Sequence, residues 1–128
     1  EYAWGYFGFQ SEARFFLKNQ GGNDQISQDA TTPTQLNLYQ VGAMLYDASE
    51  TAAGITMHIN GVASTMGNPV TATYTGMSNT TAPFRIGAQV ASNFFSGIVQ
   101  EIILYGTNES ANRTGIESNL NTFYNIYS

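Results

Sequence analysis

A pyranose ring is held by an aromatic face that stacks on its apolar side and by amides or carboxylates that bond its hydroxyls, usually from loops. The sequence carries both parts. Trp4, Tyr39, Tyr46 and Tyr74 supply faces, while Asn23, Asp47, Asn79 and Asn93 supply polar tips. The candidate ligand-binding set is therefore Trp4, Asn23, Tyr39, Asp47, Asn79 and Asn93. Because strand aromatics usually fill the interior of a β-protein, most of these rings are expected in the core. Asp24, Asp29 and Asp47 fall in expected loops, with Asn23 and Asn60 as neighbours, and offer the hard oxygens that calcium takes. No spacing among them makes a ligand loop, so turn formation is the simpler account of them. His58 is the single histidine and sits on the polar side of an alternating segment, where an exposed or hydrogen-bonded imidazole is expected rather than a metal ligand. Three Asn-x-Ser/Thr patterns, at Asn79, Asn108 and Asn112, are near what chance supplies in a chain this rich in Asn and Thr.

Composition narrows the classes of partner. The chain has 128 residues, four Lys plus Arg against nine Asp plus Glu, and a net charge of -5. That leaves no basic footprint for a phosphate backbone, so neither nucleic acid nor an anionic membrane surface is an expected partner. Cysteine is absent, which excludes a disulfide scaffold, Cys-ligated zinc and a thiol nucleophile. Apolar runs such as residues 41–46 are far shorter than the roughly 20 residues a membrane-spanning helix needs, so no membrane insertion is expected. Charged residues are only 10% of the chain, yet hydrophobic residues reach 42%, which is a folding composition. A polar surface made largely of Asn, Gln, Ser and Thr suits an extracellular, cell-surface or virion-surface setting. The chain begins at Glu1 without a signal-peptide profile and reads as a processed product or a piece of a longer protein.

The elements that would position these residues are mostly strands. Residues 2–9 and 14–18 read as a hairpin, and residues 19–35, with Gly21, Gly22 and Pro33, as loop with one short strand. Residues 36–46 read as a long strand, and residues 55–60 alternate apolar with polar, the period of a half-buried strand. Asn60-Gly61 is a tight-turn dipeptide. Residues 70–74 and 84–87 give two more short strands, and residues 97–105 (Gly-Ile-Val-Gln-Glu-Ile-Ile-Leu-Tyr) the last one. The period then changes: Ile116, Leu120, Phe123 and Tyr127 form one stripe of an amphipathic helix, with residues 108–110 as cap candidates and Glu109 and Glu117 towards its positive end. About seven strands and a closing helix predict a single all-β domain over residues 1–128, an antiparallel sandwich with one short C-terminal helix.

The order of these features resembles the laminin G-like domains of the concanavalin A-like lectin/glucanase superfamily. The likeness rests on Tyr-Gln-Val-Gly-Ala-Met-Leu-Tyr-Asp at residues 39–47 and Ile-Thr-Met-His-Ile-Asn-Gly at 55–61. It continues in Phe-Arg-Ile-Gly-Ala at 84–88, Phe-Ser-Gly-Ile-Val-Gln-Glu at 95–101, and the helix pattern Arg113, Ile116, Glu117, Leu120. It covers residues 36–128 and implies a jelly-roll sandwich, with calcium held at a loop rim in some members. The family's opening strands have little room before Tyr2, which is a second reason to expect a longer parent chain.

Some relatives in that superfamily hydrolyse glycans with carboxylates spaced Glu-x-Asp-x-x-Glu or Glu-x-Asp-x-Glu on one strand, which sets the acid and nucleophile on one face. Here Ile103 stands at the Asp position after Glu101, and Tyr105 or Gly106 at the second Glu. The pair is missing, so no enzymatic activity is expected and Glu101 reads as a structural carboxylate bonded near the helix. The resemblance then implies a non-enzymatic, surface-displayed recognition or adhesion module for a glycan or glycoprotein. The alternative is a structural subunit of a virion, fibre or filament, assembling with copies of itself or with a parent chain.

Overall fold

The structure, a computed structural model, describes residues 13–18, 25–31, 38–72, 74–76 and 95–128. Within them run β1 (Ala13–Lys18), β2 (Gln25–Ala30), β3 (Gly42–Tyr46), β4 (Ile55–Ile59), β5 (Val62–Ala63), β6 (Met66–Thr71) and α1 (Arg113–Tyr124). The strands make two antiparallel three-stranded sheets, ordered β1-β2-β6 and β3-β4-β5. The molecule is thus mostly β with one short helix. The strands expected over residues 2–9 and 84–87 lie outside the described residues.

Alternation is clearest in β4. Ile55 and Met57 are buried while Thr56 between them is exposed. Asn60 and Gly61, with φ of 52° and 78°, then carry the chain into β5 in two residues. Both φ values are positive, which is the mirror-image turn whose twist matches that of paired strands, and Asn and Gly tolerate it best. β3 pairs with β4 from Gly42 opposite Ile59 to Tyr46 opposite Ile55. The expected strand over 36–46 is therefore shorter, since residues 38–41 stand outside the ladder.

The short strand expected within residues 19–35 is β2, and it is central rather than marginal. It pairs with β1 along its whole length and with β6 on its other side. Ile26, Ser27, Asp29 and Ala30 are all buried. Among the described residues β6 sits at the sheet edge, where Pro69 needs no ladder donor; Asn68 at φ 49° and a register shift between Ser27 and Asp29 mark a bulge opposite β2. It replaces the strand expected at residues 70–74, and overlaps it only at Val70 and Thr71.

The core lies between the two sheets. Leu17 and Ile26 of the first sheet meet Ile55 of the second, together with Tyr74, and Ala13 and Ala30 meet Met57. Phe15 and Met66 pack against both groups. Each fully buried Ile or Met removes enough apolar surface from water for about 1.5–3 kcal/mol. Polar links reinforce the same junction. With its amide oriented so that Nε2 donates, Gln28 bonds the carbonyls of Ala52 and Ile55 at 2.8 and 2.9 Å. The Ala52 amide donates to Thr71 Oγ1 at 3.1 Å.

Two expectations are corrected beyond residue 95. Residues 97–105 form no strand: among the described residues nothing pairs with them, and an unpaired extended segment has no ladder to satisfy its backbone. The helix also turns differently from its apolar stripe. Its buried residue is Glu117, Phe123 is 79% exposed, and Tyr127 lies past the helix end, where Asn125 at φ 51° forms a left-handed cap. Asn112, not residues 108–110, stands at the N-cap, without a side-chain cap bond. Asn108 instead accepts from the Ser110 amide at 3.0 Å. Among the described residues no helix is long and apolar enough to cross a membrane.

Candidate functional site

The C-terminal residues of the chain close a cleft that the sequence pattern did not single out. Helix α1 ends at Asn125, whose backbone amide donates to the Asn121 carbonyl at 2.7 Å. The Asn121 side chain then clamps residues 126 and 127. Its Oδ1 accepts from the amides of Ile126 and Tyr127 at 2.9 and 2.8 Å, and its Nδ2 donates to the Tyr127 carbonyl at 2.7 Å. This folds residues 126–128 back from the helix and brings the Tyr127 ring beside Gly61, where a Cβ would touch its hydroxyl at 3.4 Å. A second tie joins the other wall: Tyr124 Oη donates to Glu101 Oε2 at 3.1 Å. Glu101 thus has the structural bond to the helix that its lack of a partner carboxylate suggested. That hydrogen bond to a carboxylate is the main reason the Tyr124 phenol is pushed above its usual range.

Between these walls lies an open cleft of about 470 Å³. Tyr39, Tyr124 and Tyr127 give it three rings, and Asn60, Gln100 and Asn125 three amides. Leu38 and Ile126 supply apolar surface. Asn60 Oδ1 is committed, because it accepts from the Val41 amide at 2.9 Å, which leaves its Nδ2 as a donor. The side-chain amides of Gln100 and Asn125 make no hydrogen bond among the described residues. Tyr39 is 56% exposed, so its face is open. The volume falls within the range of about 300–1,000 Å³ typical of small-ligand sites.

Of the candidate ligand-binding residues, Tyr39 is the one the structure brings to this cleft. Trp4, Asn23, Asn79 and Asn93 lie outside the described residues, as does Asp24 of the metal candidates. Asp47 is exposed in the loop after β3 and is not a cleft residue. Its Oδ1 accepts from the Ser49 amide at 2.9 Å, and bonding to Ser49 holds its carboxyl below the usual range. Gly54 makes this loop possible, since a Cβ there would collide with Asp47 Oδ1 and Ser49 Oγ. Tyr74 is core, and Tyr46 packs on the core while its hydroxyl accepts from the Glu50 amide at 2.8 Å.

Asp29 is corrected from a loop to the middle of β2. It stands opposite Arg14, which forks onto it with Nε to Oδ1 at 2.5 Å and Nη2 to Oδ2 at 2.7 Å. Asn68 Nδ2 adds a bond to Oδ2 at 3.1 Å. The Arg14 bond lowers the Asp29 pKa against the opposing effect of burial. Its oxygens are thus already engaged by nitrogen donors. Among the described residues no three His, Asp or Glu side chains group to hold a metal ion.

His58 departs from the exposed or hydrogen-bonded state expected of it. It is half-buried, and its Nδ1 has no hydrogen-bond partner among the described residues. Burial lowers its pKa first; Arg113 across on α1 adds to the shift, and Glu117 opposes it. Arg113 and Glu117 are themselves ion-paired one helical turn apart, which is how a carboxylate comes to be the buried residue of α1.

The cleft residues Asn125, Ile126 and Tyr127 escaped the sequence pattern as ligand candidates because their place in the cleft is made by the chain reversal after α1. The signal that was available is Asn125: Asn adopts the left-handed conformation readily and so marks a helix end two residues before Tyr127. Comparison of the chain with protein-family models, with curated proteins and with solved structures finds no match.

Proposed function

We propose that this chain is a non-enzymatic recognition module that binds a glycan or glycoprotein in the cleft between the Asn60-Gly61 turn and the residues after α1. The observation that carries this reading is the pairing of three tyrosine rings with three amides, of which those of Gln100 and Asn125 make no hydrogen bond among the described residues and that of Asn60 keeps its Nδ2 as a donor. Rings stack on the apolar face of a pyranose, and neutral amides both donate to and accept from its hydroxyls. The two antiparallel sheets are consistent with a jelly-roll sandwich of laminin G-like type, and display on a cell or virion surface follows from that resemblance. The test is binding of the purified chain to a broad glycan array, run with calcium and again with a chelator so that any metal-dependent fraction is read directly. Saturable binding weakened at least tenfold by Tyr39→Ala supports the reading, since one lost stacking ring is worth about 1.4 kcal/mol or more. Binding that Tyr39→Ala leaves untouched places the site elsewhere.

A second reading, a structural subunit of a larger assembly, has its own observation. Ile98, Val99, Leu104 and Tyr105 on the segment before α1, and Phe123 on α1, are large apolar side chains that face solvent. Large exposed apolar side chains concentrated on one segment of the chain are what a contact site in a soluble protein needs. A fixed oligomer in sedimentation that Ile98→Ser with Leu104→Ser disperses favours this reading, whereas a monomer at all concentrations counts against it.

A further inference from the structure

The described residues that line the cleft are tyrosines, amides, two aliphatics and Ser128, with no Lys or Arg among them. The described arginine side chains are engaged elsewhere, Arg14 with Asp29 and Arg113 with Glu117. A carboxylate is nonetheless fixed beside it, since Glu101 receives the hydroxyl proton of Tyr124 at 3.1 Å. The whole chain adds a net charge of -5. From this arrangement we infer that, granted the glycan reading on which this rests, the cleft selects neutral sugars and rejects their carboxylated or sulfated counterparts.

The hydrogen-bonding inventory agrees with the charge. Tyr124 spends its proton on Glu101, so its oxygen offers only lone pairs to a ligand. Asn60 spends one Oδ1 lone pair on the Val41 amide and still offers both of its Nδ2 N–H groups. Gln100 and Asn125 offer both kinds. A hydroxyl both donates and accepts and satisfies every one of these groups. A carboxylate or sulfate only accepts, would meet the Tyr124 lone pairs without a proton, and would need charge-assisted donors to repay its lost hydration.

The experiment compares one glycan core in neutral form and in sialylated or sulfated form, each titrated against the folded chain at low and at moderate salt. The neutral form is expected to bind about threefold to fivefold tighter at low salt, with the gap shrinking as salt is added, as for a single solvent-screened charge contact. Glu101→Gln keeps an acceptor for Tyr124 and removes the charge, so the ratio of neutral to acidic binding falls. Gln100→Lys places a cation at the exposed rim and drives the ratio towards or past one. Equal or tighter binding of the acidic form by the unaltered chain overturns the inference and leaves glycan recognition standing. Absence of saturable binding to either form, from a chain with an intact far-ultraviolet spectrum, removes the glycan reading and this selectivity together.

Discussion

The strands of residues 13–72 and the segment of residues 95–128 are built from similar side chains and use them in opposite ways. In the first region Ile26, Ile55 and Met57 are sealed between two sheets. In the second, Ile98 is 71% exposed and Phe123 79%, while the one buried residue of the helix is Glu117. Apolar composition is the raw material of a core, but burial requires a second surface at the right spacing, and the sheets supply one for each other. The C-terminal region is held instead by polar ties: the Asn121 clamp, the Tyr124–Glu101 bond and the Arg113–Glu117 pair. Both proposed functions draw on that region: its exposed apolar side chains are the surface an assembly would use, and its last residues form one wall of the cleft, opposite Tyr39 and Asn60.

The sharpest way to break this contrast is to delete an apolar side chain in each region. Ile55→Ala should cost about 3 kcal/mol by opening a cavity between the sheets, and Phe123→Ala less than about 0.5 kcal/mol, both read from urea midpoints. Similar losses would mean that the helix is packed as tightly as the sheets. Next in size is the partly buried ion pair of the sheet region, in which Asp29 is buried and Arg14 is exposed. Asp29→Ala should cost about 2 kcal/mol near pH 7, because Arg14 and Asn68 lose their acceptor. The folded pKa of Asp29 is lowered, so its contribution is complete above the unfolded value of 3.8 and is lost as pH falls below that through the folded value. The difference between wild type and Asp29→Ala should therefore close in acid.

In the C-terminal region, Asn121→Ala should cost about 1 kcal/mol, yet it should weaken glycan binding more than it weakens the fold, since it releases Tyr127 and leaves the sheets alone. Equal effects on both would make the clamp part of the fold's main support. The smallest effect joins the two regions at His58, which sits on β4 and faces α1. Its folded pKa is depressed, so the unfolded chain takes up the proton first and stability falls as pH drops below 6.5. From pH 7.5 to 5.5 the loss should stay below about 1 kcal/mol, and His58→Gln should remove that slope from the thermal melts. A slope that survives the substitution belongs to other groups.

The sequence by itself determined what depends on neighbours along the chain. Alternation at Ile55, Thr56 and Met57 marks β4 because side chains of a strand alternate faces, and Asn60-Gly61 marks its turn because both residues accept positive φ. A helix near residues 113–124 is legible from its change of period. Tertiary structure alone decided which polar groups are buried and which apolar ones are not. Asp29 looks like a loop acid until Arg14 is brought opposite it by strand pairing, and residues 97–105 look like a strand until the ladder they need is found missing among the described residues. Tyr39 reads as a sugar platform from its type, but Tyr127 joins it only because Asn121 and Asn125 reverse the chain after the helix. Local pattern records the preferences of each residue, whereas burial, ion pairing and a cleft are properties of pairs that folding alone brings together.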